Sequence, residues 1–230
     1  MNSGKLYLVA TPIGNLKDIT LRAVEVLKNV DLVLCEDTRY SARLFKTYGI
    51  TTPRDSYHDF NKEKKTPRFL HLLKQGKNLA LISDAGTPGI QDPAYYLVTR
   101  AIAEGIEVTV IPGASAVISA LVISGLPTDR FLFEGFLPRK QGKRRRRLQE
   151  LSTEPRTMIF CESPARLGRT LGEFREVFGP YRKAVIVREL TKLHEEIQRG
   201  TIAELQETLN RGEVIAKGEI IIVVEGRKNL

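Results

Sequence analysis

The chain has 230 residues, 42% hydrophobic and 27% charged, with a net charge of +9; this suits a globular protein of one domain or two small ones and excludes general disorder. No apolar run approaches the roughly 20 residues that cross a bilayer, and Met1 to Lys5 lead into a strand pattern rather than a secretory h-region, so a cytoplasmic protein is expected. Cys35 and Cys161 end apolar runs, where a free thiol behaves as a small buried hydrophobe, and His58, His71 and His194 show no paired ligand spacing, so no metal is expected.

Lys5–Ala10 reads as a first strand and Thr11–Asn15 as the loop at its carboxyl end. A helix follows, capped by Asp18 or Thr20, with Leu21, Val24 and Leu27 as its apolar stripe opposite Arg22, Glu25 and Asn29. Asp31–Cys35 is a second strand, ending in the polar cluster Glu36, Asp37, Thr38 and Arg39. Ser41–Tyr48 is a short helix with Gly49 as a left-handed cap. Thr51–Thr66 holds Pro53, many charges and little periodicity, which predicts a long surface loop; Pro67–Gln75 is helical, with Gly76 as its stop.

Asn78–Pro93, NLALISDAGTPGIQDP, is the most informative stretch. Leu79 to Ile82 have the continuous apolarity of a strand buried on both faces, and Ser83 to Gly89 then supply small, acidic and turn-forming residues. In open α/β sheets ligands sit outside the carboxyl ends of strands, and this is such an end. Ala94–Glu104 is a further helix and Glu107–Ile111 a fourth strand; Pro112 to Ser115 start a small-residue helix through Ser124, closed by Gly125.

The alternation of strands and helices predicts an α/β domain over 1–115 with a parallel, doubly wound sheet. The pattern then changes. Arg130–Glu134 and Arg156–Cys161 are strands, a helix runs to about Leu151 between them, and Arg166–Phe178 is helical. Ala184–Arg188, Ile197–Thr201 and Glu219–Glu225 allow antiparallel pairing, so 116–230 is expected to be a second domain with a mixed α+β sheet.

Charge is unevenly spread. Arg139–Arg147 holds seven basic residues (Arg139, Lys140, Lys143, Arg144, Arg145, Arg146 and Arg147) and no acidic one, and without them 29 basic residues face 27 acidic ones. A run of charge is ordinarily a solvated helix face, but five consecutive cations, Lys143 to Arg147, repel one another unless phosphates neutralise them.

Three strand-end loops, Thr11–Asn15, Ser83–Gly89 and Pro112–Ala116, are either ordinary tight turns or, were their strands neighbours, one binding site. TPIGN has one glycine where a dinucleotide fingerprint needs three, and no Gly-Lys-Ser or Gly-Lys-Thr of a P-loop occurs.

LYLVATPIGNLKDITLRAVEVL, CEDTR, SDAGTPGIQDP, VTVIPGASAVISALVISGLPTDRFLFEGFLPRK, ESPARL and ELTKLHEE, in order from about residue 5 to 225, resemble the ribosomal RNA small-subunit methyltransferase I family of the tetrapyrrole-methylase superfamily. The resemblance implies transfer of a methyl group from S-adenosylmethionine to the ribose 2′-oxygen of a decoding-centre cytidine in 16S rRNA. It also implies a homodimer and a two-domain fold with the cofactor in the cleft between domains. Carried onto this chain, it places the cofactor at Pro12, Ile13, Gly14, Asp84, Ala85, Gly86, Thr87, Ser115 and Ala116 of the first three loops. From the second domain it adds Phe160, Cys161, Glu162, Leu190, Thr191, Gly218 and Glu219. Relatives often carry His after ESP; here Ala165 follows Pro164, and no proton-transfer role is assigned to it.

A ribose hydroxyl is a weak nucleophile at neutral pH, so a base assists as its proton leaves. The candidates are Glu36, Asp37 and Glu162, with Asn15 and Arg39 as orienting groups; for each the alternative is a solvated or ion-paired surface group. Given the resemblance, the arginine run is expected to contact 16S rRNA or the small ribosomal subunit. Methylation of a tetrapyrrole precursor and a non-catalytic RNA-binding module are the alternatives; the first leaves the arginine cluster unexplained, the second the loop trio.

Overall fold

A computed structural model describes residues 3–212 and 217–228, which fall into two compact units, Met1–Ser115 and Ala116–Leu230. In the first, the strands β1 (Lys5–Val9), β2 (Leu32–Cys35), β3 (Arg54–Ser56), β4 (Leu79–Ile82) and β5 (Glu107–Ile111) form one sheet in the order β3-β2-β4-β1-β5, every pairing parallel. Period-two alternation sorts their side chains onto two faces. Leu6, Leu34, Leu79 and Leu81 pack with Phe69 and Leu73 of α3 (Lys62–Lys74) and Leu97 and Ala101 of α4 (Ala94–Ala103). Val9, Val33, Ala80 and Ile82 pack with Ala23 and Leu27 of α1 (Leu21–Asn29) and Leu44 and Phe45 of α2 (Thr38–Tyr48). The doubly wound α/β architecture is thus as the apolar runs predict.

Two local expectations are corrected. Leu21 is 91% exposed, and α1 instead buries Ala23, Leu27 and the following Val30, a face rotated from the expected stripe. Thr20, rather than Asp18, caps it by accepting from Ala23 N at 3.1 Å. The segment expected as a loop, Thr51–Thr66, contains β3 and the start of α3. Several of its charges are paired: Asp55 takes Lys65 at 2.6 Å and the following Arg68 at 2.8 Å, while buried Tyr57 bonds Thr66 and packs edge-on against Phe69.

The second unit carries α5 (Ala116–Ser124), β6 (Phe131–Phe136), α6 (Gln141–Leu151), β7 (Thr157–Glu162), α7 (Leu167–Phe178), β8 (Lys183–Arg188), β9 (Glu196–Thr201), α8 (Ile202–Asn210) and β10 (Ile220–Val224). Its sheet runs β6-β7-β10-β8-β9, parallel between β6 and β7 and antiparallel elsewhere. The all-buried β10, IIIVV, lies at its centre; one face packs on α6, α7 and α8, the other on α5. The helix α8, which the sequence pattern did not reveal, starts from a capping box of Thr201 and Glu204. No helix among the described residues is long and apolar enough to cross a membrane.

Candidate active site

Because β1 lies between β4 and β5, the three strand-end loops are neighbours, and hydrogen bonds lock them together. Thr11 and Gly86 exchange backbone bonds of 2.9 and 3.1 Å, Thr11 Oγ1 donates to Ser83 O at 3.2 Å, and Thr87 Oγ1 donates to Ala114 O at 3.2 Å. Gly86 sits at φ +83°, a left-handed conformation that a side chain disfavours, and a Cβ there would lie 3.4 Å from Ile13 Cγ2. In the first unit, therefore, Pro12, Ile13, Gly14, Asp84, Ala85, Gly86, Thr87 and Ser115 share one loop cluster at the carboxyl end of the sheet. Ala116 begins α5.

A chain of carboxylates borders the cluster. Asp84 N donates to Glu36 Oε2 at 3.3 Å, and Asp84 Oδ1 accepts from Asp37 N at 3.0 Å; Asp84 Oδ2 has no partner among the described residues. Burial, reinforced by the charges of Asp84, Asp92 and Asp59, raises the Glu36 carboxyl above its ordinary range, and burial also raises Asp84. Asp37 goes the other way. The Arg39 guanidinium, 2.8 Å away, and the Arg39 N–H hold Asp37 down to about 2, while the same carboxylate caps α2.

These environments separate the expected catalytic residues. Glu36 is shielded and favours a proton, which suits a base. Asp37 and Arg39 neutralise each other at the head of α2, and Asn15 Oδ1 accepts from Lys17 N as the cap of a 3-10 turn, Leu16–Asp18. Glu162 is corrected as a base candidate: it is buried, and its oxygens accept from Ser163 N at 2.7 Å, Thr170 Oγ1 at 2.5 Å and Arg166 Nη2 at 3.1 Å. Asp92 was not foreseen; it accepts from Gly89 N and Ala94 N and so closes the turn after SDAGTPG, for which Asp before Pro93 was the available signal.

In the second unit, Phe160 is corrected as a cofactor contact. Its side chain is fully buried 5.0 Å from the Phe174 ring, and its strand β7 is paired on both sides. Cys161 is half-buried, and burial pushes its thiol up to about 11. Leu190 and Thr191 follow β8 and Gly218 and Glu219 precede β10, two strands paired at this sheet end. Glu189 N donates to Glu219 O at 2.9 Å, Glu219 N donates to Glu189 Oε1 at 2.8 Å, and Lys192 bridges both carboxylates at 3.0 Å. Glu189 and the β-branched Thr191 hold φ of +50° and +64°, strain of a kind that clusters at ligand sites.

The arginine run divides by helix face. Arg139, Lys140, Lys143 and Arg145 are exposed and without ion pairs among the described residues, and exposed Arg146 reaches Glu150 only at 3.4 Å. Arg147 is forked onto Glu134 at 2.7 Å. Arg144 is corrected: it is 1% exposed and bonded to Glu173, so it is not a surface contact for RNA. Among the described residues no group of three or more His, Cys, Asp or Glu is suited to a metal ion.

The first unit also holds a cavity of about 170 Å³ behind the Thr11–Asn15 turn, walled by Pro12, Leu16, Leu44 and Ile82 with Tyr40 and Arg43 at its rim. Sequence reasoning did not single out Tyr40 or Arg43; their three-residue spacing just after CEDTR was the available signal.

A family model described as Tetrapyrrole (Corrin/Porphyrin) Methylases matches residues 5–206. The chain is 50% identical over 226 residues to a ribosomal RNA small subunit methyltransferase I from Pseudomonas aeruginosa, covering 98% of this chain and 80% of that one. It is 47% identical to a protein of the same name from Thermotoga maritima, covering 98% and 100%. Among solved structures, a cobalt precorrin-4 methyltransferase superposes with a TM-score of 0.71 at 19% identity, covering 96% of this chain and 94% of that one. A uroporphyrin-III C-methyltransferase from Thermus thermophilus complexed with S-adenosylhomocysteine superposes with a TM-score of 0.66 at 19% identity, covering 96% and 97%.

Proposed function

The chain belongs to the tetrapyrrole methylase family, and on that premise we propose that it transfers a methyl group from S-adenosylmethionine to the ribose 2′-oxygen of a cytidine in the decoding centre of 16S rRNA. Near full-length similarity to proteins named for ribosomal RNA methylation is the observation that carries this reading. S-adenosylmethionine is the methyl donor.

The loop cluster fits such a donor. The turns are built of small residues whose backbones pack closely on one another, as Gly86 does on Thr11, and Asp84 Oδ2 stands ready to accept from a hydroxyl or amine. Pro12, Ile13, Gly14 and Asp84 to Thr87 would hold it, with Ser115 and Ala116 following; Cys161, Leu190, Thr191, Gly218 and Glu219 enter by resemblance. When bound, the donor supplies a methyl group already activated by its sulfonium. The work left to the chain is alignment of the acceptor oxygen and relief of its proton. Glu36, held by Asp84 N and raised by burial, takes that proton at a carboxylate oxygen. Exposed Arg139, Lys140, Lys143, Arg145 and Arg146 hold RNA phosphates. The same premise supports a homodimer, which light scattering of the purified protein checks.

Incubation with small ribosomal subunits from cells lacking this protein, followed by mass spectrometry of the rRNA, tests the reading. A 2′-O-methylcytidine in the decoding centre is expected. Methyl on uroporphyrinogen and none on subunits would replace it with the tetrapyrrole reading.

A further inference from the structure

We propose that the cavity behind the Thr11–Asn15 turn holds one unstacked nucleobase of the acceptor RNA, with Tyr40 as its stacking surface and Arg43 on the adjoining phosphate. This rests on the reading that RNA is the acceptor. A cavity of about 150 Å³ accepts one benzene-sized ring, so about 170 Å³ suits a single six-membered base and is far too small for a tetrapyrrole macrocycle.

Its chemistry matches its size. Pro12, Leu16, Leu44 and Ile82 offer apolar surfaces to the faces of a flat ring, and the wall is rigid because Tyr48 Oη donates to Leu16 O at 2.7 Å, fixing the turn to α2. Tyr40 is 56% exposed on the first turn of α2, and its hydroxyl has no hydrogen-bond partner among the described residues, which leaves an aromatic face for a ligand to cover. Arg43 lies one helical turn on, exposed and with no carboxylate partner among the described residues, whereas its neighbours are engaged: Arg39 by Asp37, and Arg54 by Thr38 O and the Phe45 ring. Aromatic platforms with a nearby unpaired cation are how proteins hold splayed-out bases.

Position ties the cavity to the reaction. Pro12, Gly14 and Asp84 line it and also belong to the cluster that fits the donor, so a base seated here brings its own ribose to that cluster. Seating an extruded base in a protein pocket is one way an enzyme presents a single nucleotide of a folded RNA to its reactive centre.

The test compares wild type with Tyr40→Phe, Tyr40→Ala and Arg43→Gln, all exposed positions, measuring kcat and KM for subunits lacking the modification and calorimetric binding of S-adenosylhomocysteine. Tyr40→Phe is expected to behave as wild type, and Tyr40→Ala to raise KM by roughly tenfold or more. Arg43→Gln should raise KM and lower the log–log salt dependence by about 0.7. All three should bind S-adenosylhomocysteine as wild type does. Unchanged KM in both Tyr40→Ala and Arg43→Gln overturns the proposal, as does loss of S-adenosylhomocysteine binding, which would assign the cavity to the donor. A wild-type protein inactive on subunits defeats the functional reading itself, a result distinct from either.

Discussion

Arg144 Nη2 donates to Glu173 Oε1 at 2.6 Å while Nε reaches Oε2, so a guanidinium from α6 is forked onto a carboxylate of α7 within the second unit. Nη1 adds a 3.0 Å bond to Arg139 O, which fixes the entry to α6. Removing one partner of such a pair leaves a buried charge uncompensated and costs about 3–5 kcal/mol. Arg144→Met is expected to lose that much in urea denaturation. The double variant with Glu173→Met should recover much of the loss, because no charge is then left stranded.

The exposed faces of the same run behave differently. Lys143 and Arg145 have no ion pair among the described residues, so replacing both with Ser should leave stability within about 0.5 kcal/mol of wild type. Each phosphate that the protein no longer neutralises lowers the slope of log affinity against log salt by roughly 0.7–0.9. Titration of rRNA at several KCl concentrations checks this, and an unchanged slope would remove the stretch from the RNA interface.

The contrast shows what a sequence conceals. Lys143 and Arg144 are adjacent cations, yet one is solvated and the other buried, because only the placement of Glu173 on a neighbouring helix distinguishes them. Likewise Asp55, Lys65 and Arg68 read as surface charge until the fold pairs them, which is why β3 and the first turn of α3 were missed. What was legible was whatever a single element encodes alone. The continuous apolarity of LALI marks a strand buried on both faces, and SDAGTPG marks a tight turn at its carboxyl end. The positive φ of Thr191 and the cavity at Tyr40 arise from the packing of distant segments and leave no local trace.

Gly86 lies in the loop cluster proposed to hold the donor. At φ +83° an alanine costs about 1–2 kcal/mol of backbone strain, its Cβ would touch Ile13 at 3.4 Å, and the backbone exchange with Thr11 keeps the turn from relaxing that strain. Gly86→Ala is expected to weaken calorimetric binding of S-adenosylhomocysteine and to lower stability by about that amount. A control at Gly49, also left-handed at φ +60° but with nothing near its Cβ, should show the stability loss with binding intact.

Glu36 links rate and stability to pH with opposite signs. Its carboxyl is raised by burial, and the charges facing it are Asp84, Asp92 and Asp59, all of which favour its protonated form. As a base it must be ionised, so methyl transfer is expected to fall as pH drops through a value above the ordinary carboxylate range. Glu36→Gln should slow transfer by about 10²–10⁴-fold and abolish that acid limb. For stability, a carboxyl raised in the folded state destabilises it once ionised. The penalty is absent below the unfolded value of about 4.3, grows as pH rises through the folded value, and is fully present at neutral pH. Glu36→Gln keeps an acceptor for Asp84 N and removes the charge, so its Tm should exceed that of wild type at pH 7.5 and match it at pH 4. Asp37, held down to about 2, works in the reverse sense, losing stabilisation as pH falls below about 3.9, but it does so equally in both proteins and cancels in the comparison. An acid limb that persists in Glu36→Gln would transfer the proton-accepting role to another group.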